Sequence, residues 1–259
     1  MPVITLTTDW NKNDYYLAAI KGQIISKCPE ARIIDISHQI LAFNIREAAF
    51  LIKNSYKHFP EGTIHIIGVN SAIAPAGRCL AAEVDGQFFL TYDTGIFGQI
   101  FRNELEVIIE IDTSAYEFGV FPEFSVFSDI ACKLANGVKP DSLGKPVNDY
   151  IKTVPLRAAI EDSTIVGRVI YIDSYRNAIT NITKETFERI GKNRPFEIMV
   201  QSDGNRITKI NKTYGETTLG ELLALFNTID LLEIAMNHGN AADLLALDTD
   251  SSVRIKFKE

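Results

Sequence analysis

Ile4-Thr5-Leu6-Thr7-Thr8-Asp9-Trp10-Asn11-Lys12-Asn13-Asp14-Tyr15 runs from a short β-rich segment through a polar turn into a helix, and it sets the fold class. Leu17, Ile20, Ile24 and Ile25 follow at helical spacing, so the order is strand, loop, helix. In an open α/β sheet the C-terminal edge of such a strand is where ligands sit. Asp9 and Asp14 are delivered to that edge. A carboxylate there can accept two hydrogen bonds from a vicinal diol such as a ribose. The alternative is that Asp14 is a helix N-cap and Asp9 a turn former.

The same alternation continues, with strands expected near 3–8, 32–36 and 63–69 and helices over 13–27 and 44–58. Ile45, Ala48, Ala49, Ile52 and Tyr56 line one face of the second helix, which Phe59-Pro60-Glu61-Gly62 ends. Right-handed crossovers then give a largely parallel sheet covered by helices. Val84-Asp85-Gly86-Gln87 marks a hairpin between strands 79–84 and 87–92, so the sheet is mixed. A strand near 106–112, a phenylalanine-rich loop over 118–127 and a helix over 125–135 complete an N-terminal domain spanning 1–150. Pro140, Pro146 and Pro155 fall in a stretch with few periodic apolar positions, and 151–163 reads as a linker.

From 164 to 259 short strands alternate with polar turns, at 165–173, 178–182, 195–202, 205–211, 222–227, 231–235 and 252–257, with small helices near 184–191 and 239–246. A smaller C-terminal β-barrel or sandwich is the expectation, because an antiparallel sheet must protect its edges.

The 259 residues are 46% hydrophobic and 23% charged, which is the composition of a globular protein rather than a disordered one. A formal charge of -7 opposes general binding to a phosphate backbone. No apolar run approaches the ~20 residues needed to cross a bilayer, and no charged-then-apolar leader opens the chain, so a cytoplasmic location is expected. Cys28, Cys79 and Cys132 are odd in number and widely spaced, which reads as buried thiols. His38 closes Asp35-Ile36-Ser37-His38, either facing a site or hydrogen-bonded at a strand end.

A second cluster is Tyr171-Ile172-Asp173-Ser174-Tyr175-Arg176-Asn177-Ala178-Ile179-Thr180-Asn181-Ile182. An aromatic ring there can stack on a purine while an Asn amide meets its hydrogen-bonding edge. The same residues also suit an ordinary β-turn in which the Asn side chains cap backbone groups.

Together, Thr7-Thr8-Asp9 with Asp14 five residues on, Pro29-Glu30-Ala31-Arg32-Ile33-Ile34-Asp35-Ile36-Ser37-His38, Phe59-Pro60-Glu61-Gly62-Thr63, the 173–182 turn and Leu232-Glu233-Ile234-Ala235-Met236-Asn237 resemble the S-adenosylmethionine (SAM) hydroxide adenosyltransferase family, which also contains fluorinase and chlorinase. The resemblance runs in order over nearly the whole chain. It implies an α/β domain joined to a C-terminal barrel, and a homotrimer that binds SAM or adenosine between one subunit's N-domain and its neighbour's C-domain. Asp9 would then hold the ribose diol and Asp14 would lie near the methionine amino group. Phe43 and Phe121 would wall the ribose, Tyr175 and Asn177 would contact adenine, and Asp173 would support its turn or bind the amino acid end. The implied reaction is cleavage of SAM by water to adenosine and methionine. The sulfonium makes the ribose C5′ electrophilic, so no metal or cofactor is required.

The chain departs from the family where hydrolytic members carry an Asp-Arg-His set that positions the water. Asn70 replaces the Asp, Gly77 takes the Arg position with Arg78 beside it, and Phe121-Pro122-Glu123-Phe124 puts Pro122 where the His stands. Asn cannot act as a carboxylate base, and Pro offers no proton acceptor. Asn70, Arg78 and Glu123 are therefore the candidate catalytic residues, with Asp93 a further nearby acid. A catalytically inactive SAM or adenosine binder is the alternative. A halogenase ranks last, because Asn70 with Ala72 and Ala74 lacks the halide-binding donors. Arg176, where the family prefers Gly, would fold over the adenine site or point to solvent.

Overall fold

A computed structural model of the chain describes residues 1–70, 77–101, 105, 107–116, 121 and 123–258, with the backbone alone at 202, 203 and 205. Two compact units emerge, Met1–Pro155 and Leu156–Glu259.

In the first unit β1 (Val3–Thr8), β2 (Arg32–Ser37), β3 (Ile64–Gly68) and β5 (Gln87–Tyr92) are parallel, with β1 central between β2 and β3. β4 (Cys79–Val84) turns back antiparallel to β5 through Asp85 and Gly86. Both turn residues have positive φ, at 52° and 69°, as a tight hairpin of this hand requires. β6 (Ile108–Ile111) and β7 (Gly144–Pro146) extend the sheet to the order β2-β1-β3-β5-β4-β6-β7, confirming a mixed sheet.

Period-two alternation sorts the strand residues between two apolar layers. Ile4, Leu6, Ile64 and Ile66 pack with Leu17, Ile20 and Ile24 of α1 (Tyr15–Lys27) and with Ile130, Ala131 and Leu134 of α4 (Ser128–Ala135). Ile67, Leu80 and Phe89 pack on the other side with Ala48, Ala49 and Ile52 of α2 (Ile45–Ser55) and Ile96 and Phe97 of α3 (Ile96–Ile100). A buried polar line crosses the sheet between them. Thr5 Oγ1 lies 2.7 Å from His65 Nδ1, and His65 Nε2 lies 2.7 Å from Gln87 Oε1.

Most elements fall where the apolar spacing puts them. The expected helix over 125–135 is in fact two pieces, a wide π-type turn over Glu123–Phe127 and then α4. The expected helix over 44–58 ends as α2 at Ser55, and its last turn tightens over Tyr56–His58. Two short elements, α3 and β7, carry too few residues to show a period.

The second unit is built on a nine-stranded sheet. Its path is β12 (Ser202–Ile207), β11 (Phe196–Val200), β16 (Ser252–Phe257), β9 (Thr164–Ile172), β10 (Ala178–Thr183), β15 (Leu231–Met236), β14 (Leu222–Phe226) and β13 (Ile210–Asn211), with β8 (Ala159–Glu161) on β9. Every described pairing except β13 with β14 is antiparallel. Ile165, Val169, Ile182, Ile198, Leu232, Ile234, Val253 and Ile255 form its core. α5 (Lys184–Gly191) and α6 (Ala241–Leu244) connect strands.

Candidate functional site

Asp9 leaves the C-terminal end of β1, and its carboxylate reaches two other strand ends. Its Oδ2 accepts the backbone N–H of Phe43 at 2.8 Å and that of Asn70 at 3.2 Å. Phe43 stands between β2 and α2, and Asn70 follows β3. Both hold left-handed backbones, φ 67° and 60°, which turn their amides toward the carboxylate. Among the described residues Oδ1 receives no hydrogen bond. The Phe43 ring beside it is 61% exposed. Asp14 occupies the N-cap position of α1 with extended backbone, yet its side chain makes no capping bond. Asp14 is exposed, and among the described residues its carboxylate makes no hydrogen bond.

On the α1 side of the sheet the aromatic rings converge. Trp10 meets Tyr16, Phe121 and Phe124 with centroids 6.4, 5.9 and 5.8 Å apart. Phe121 therefore belongs to a ring cluster at this end of the sheet. Glu123 is completely buried beside Trp10, over Gly68 at the end of β3. Burial and the charge of Glu123 push the Cys79 thiol up to about 12, and they raise the Tyr92 phenol as well.

Arg78 faces elsewhere. Its guanidinium donates to Asp93 at 2.7 Å and to Asp149 at 3.0 Å, and it lies 3.7 Å from Glu110. Asp93 Oδ1 in turn accepts the Ile151 amide at 2.8 Å, and Thr153 donates to the Gly95 carbonyl at 2.6 Å. Arg78 and Asp93 thus pin the 149–153 segment to the first sheet. Ala72, Ala74 and Pro122, and most of the phenylalanine-rich loop before 121, all part of the sequence argument, lie outside the described residues.

His38 is the hydrogen-bonded strand-end histidine. Its Nδ1 is 2.8 Å from Thr8 Oγ1 and its Nε2 is 3.1 Å from Asp35 Oδ1, while burial pushes its pKa down. All three cysteines are buried free thiols. Among the described residues no group of three or more His, Cys, Asp and Glu side chains could hold a metal ion.

The second unit carries the 173–177 turn. Asp173 Oδ1 accepts the amides of Tyr175 at 3.0 Å and Asn177 at 2.8 Å, and Oδ2 accepts Asn177 Nδ2 at 3.2 Å. Asp173 is thereby the brace of the turn. The Tyr175 ring is 76% exposed and open to a stacking partner, whereas Asn177 is 6% exposed. Arg176 sits at φ 64°, a conformation that favours glycine. Its guanidinium pairs with Asp243 of α6 at 2.5 Å.

Sequence reasoning passed over two groups. Trp10, the only tryptophan, was legible as the neighbour of Asp9. Glu233 is buried on β15 and accepts from Tyr214 at 2.8 Å and Asn227 at 3.2 Å, with burial raising its pKa. Only its place in an apolar strand could have signalled it.

Comparison with known proteins places these features in a family. Residues 4–144 match the SAM hydroxide adenosyltransferase N-terminal domain and residues 167–254 the C-terminal domain. The chain is 27% identical to an (R)-S-adenosyl-L-methionine hydrolase of Methanocaldococcus jannaschii, covering 99% of this chain and 97% of that protein. A hydrolase of the same name from Thermus thermophilus is 24% identical, covering 98% and 100%. A fluorinase of Nocardia brasiliensis is 21% identical, covering 98% and 97%. An uncharacterized conserved protein from Thermotoga maritima shares the fold, with a TM-score of 0.88 at 23% identity over 99% of this chain and all of that one. The chain belongs to the SAM hydroxide adenosyltransferase family.

Proposed function

We propose that this protein is an enzyme that binds SAM and hydrolyses it to adenosine and methionine. The observation that carries the reading is the Asp9 carboxylate at the C-terminal edge of the sheet, held by the Phe43 and Asn70 amides, its second oxygen without a hydrogen bond among the described residues. The hydrolases of Methanocaldococcus jannaschii and Thermus thermophilus, alike along the whole chain, support it.

In this reading Asp9 accepts the ribose hydroxyls and Asp14 receives the methionine ammonium. Phe43 and Phe121 wall the sugar, Tyr175 stacks on adenine, and Asn177 meets its edge while Asp173 holds that turn. Asn70 lines the nucleophile's approach. Arg78 contributes by fixing the 149–153 segment rather than by activating water. The positive sulfur makes C5′ electrophilic, so water aligned behind that carbon displaces methionine in one step, and no resident metal or cofactor is invoked.

The proposal extends to a cytoplasmic homotrimer, with the Asp9 and Tyr175 sets contributed by neighbouring subunits, and to a division into domains 1–150 and 164–259. It includes closure of the second sheet as a barrel, supported by the approach of β12 to β14. Among the described residues no helix is long and apolar enough to cross a membrane.

Incubation of purified protein with SAM, with chromatography of adenosine and methionine against a protein-free blank, tests the reading. Equal release of both products above the blank is the expected result, and none would overturn turnover. A second reading, binding without turnover, is favoured by Asn70, whose amide cannot accept the water's proton. Saturable adenosine binding in calorimetry with no product would establish it.

A further inference from the structure

Trp10 and Glu123 meet over Gly68, at the C-terminal end of β3. A Cβ on Gly68 would stand 2.9 Å from Trp10 Cζ2 and 3.2 Å from Glu123 Oε1, so glycine is what lets ring and carboxylate close over the strand end. Trp10 is 6% exposed, and among the described residues its indole N–H has no hydrogen-bond partner. Indole nitrogen can only donate. A buried donor left unsatisfied is disfavoured and rare in folded proteins. Beside it, Glu123 is a fully buried carboxylate, a residue type seldom interior unless paired, and the Tyr92 hydroxyl is one of its partners. A donor without a recipient and an acidic acceptor at one strand end fit a small molecule that both accepts and donates, and water is the smallest such molecule.

The surroundings favour a single held water. The rings of Tyr16, Phe121 and Phe124 pack around Trp10 and shut that side from solvent. A nucleophile stripped of bulk solvent reacts more readily at a cationic centre. From the sheet, Tyr92 of β5 and Cys79 of β4 are the titratable groups near Glu123, and burial with its charge keeps both protonated near neutrality.

We propose that Trp10 and Glu123 together hold the attacking water, the Trp10 N–H donating to its oxygen and the Glu123 carboxylate accepting its proton. This rests on the hydrolytic reading above. As the C5′–O bond forms, the C5′–S bond breaks, and its electron pair leaves with sulfur as the neutral thioether of methionine. The water's proton passes to Glu123 and from there to solvent once adenosine departs. One SAM cation and one water give one adenosine, one methionine and one proton. Glu123 thereby supplies the proton acceptor that Asn70 and Pro122 lack.

The test compares the full-length protein with Glu123→Gln, Glu123→Asp and Trp10→Phe, measuring kcat and KM for adenosine release from SAM and adenosine affinity by calorimetry. Loss of the base lowers kcat by about 10²- to 10⁴-fold in Glu123→Gln, with KM and adenosine affinity within threefold of wild type. Glu123→Asp recovers part of the lost rate. Trp10→Phe keeps the ring packing and lowers kcat about tenfold, so it reports even if Glu123→Gln does not fold. The proposal is overturned if Glu123→Gln turns over within threefold of wild type, or if kcat and adenosine affinity fall together with no recovery in Glu123→Asp. A wild-type protein that releases no adenosine removes the hydrolytic reading and this assignment with it, whereas active wild type with equally active variants removes this assignment alone.

Discussion

The Oδ2 of Asp9 accepts the backbone N–H of Phe43 across 34 residues of chain at 2.8 Å, and the same oxygen takes the Asn70 amide at 3.2 Å. One side chain thus ties together the loops that follow β1, β2 and β3. The positive φ of Phe43 and Asn70 is the local cost of that arrangement, since left-handed backbone is unfavourable for residues with a Cβ. The carboxylate has two jobs, one for each oxygen, and they separate experimentally.

Asp9→Asn keeps an acceptor oxygen for the two amides, while Asp9→Ala keeps none. We expect Asp9→Ala to lose about 1 kcal/mol of stability, the ordinary worth of such bonds, and Asp9→Asn to melt close to wild type. Both weaken adenosine binding, by roughly 10- to 100-fold, because bonds from ligand hydroxyls to a charged carboxylate are worth about 1.5–3 kcal/mol. Thermal melts read the first effect and calorimetry with adenosine the second. Wild-type affinity in Asp9→Ala would remove Asp9 from the ribose site.

In the second unit the brace and the platform are different residues. Asp173→Ala strips the acceptor from two amides and from the Asn177 side chain, so a stability loss of about 1–2 kcal/mol is expected, read as a lower melting temperature. Tyr175→Ala touches an exposed ring and leaves the melting temperature unchanged. It should nevertheless weaken adenosine binding about tenfold, since base stacking on an aromatic ring is worth roughly 1–3 kcal/mol. Unchanged affinity in Tyr175→Ala would rule out stacking there.

Two glycines give opposite outcomes. Gly22 lies inside α1 with nothing within 4 Å of an added Cβ, so Gly22→Ala should stabilise by roughly 0.5–1 kcal/mol through helix propensity. At Gly98 of α3 an added Cβ would fall 2.2 Å from the Thr153 carbonyl oxygen and 2.9 Å from its nitrogen. Backbone cannot swing aside as a flexible side chain can, so Gly98→Ala should destabilise by about 1–3 kcal/mol and loosen the 149–153 segment. Denaturant melts rank the pair, and limited proteolysis near Thr153 reports the loosening.

The alternation of strands and helices was readable because Ile4, Leu6, Leu17, Ile20 and Ile24 carry two clean periods. β7 was not, because three residues ending in Pro146 are too short for a period and proline marks only edge strands. α3 hid for the same reason, five residues with Gly98 in the middle. In the site, Asp9 and Asp14 were legible as carboxylates at a strand end. The donors to Asp9 were not, because they are backbone amides whose direction depends on left-handed φ at Phe43 and Asn70, residues that do not advertise it. Arg78 was legible as the arginine beside Gly77, but its two charge-assisted bonds, to Asp93 and Asp149, join residues 15 and 71 positions apart and leave no local pattern. Glu123 was legible as the acid beside Pro122, whereas Trp10 gains its interest from burial, which sequence does not record.

Acid should destabilise the protein through His65 before its carboxylates titrate. His65 lies between Thr5 and Gln87 and stacks on Phe89, and burial lowers its pKa from 6.5 to about 4. In the unfolded chain the imidazole takes a proton as pH falls through 6.5, while the folded protein resists until about 4. The unfolded state therefore binds more protons across that window, and stability falls as pH falls, by roughly 3 kcal/mol in total. His38, also pushed down by burial, adds in the same direction. Asp129, held near 2 by Tyr116, Lys133 and Lys27 against its burial, contributes only below the ordinary carboxylate range. Denaturant melts at pH 7, 5.5 and 4.5 should show the midpoint dropping while His65→Gln, less stable at pH 7, gives a flatter profile. A profile for His65→Gln as steep as wild type would assign the acid sensitivity to other groups.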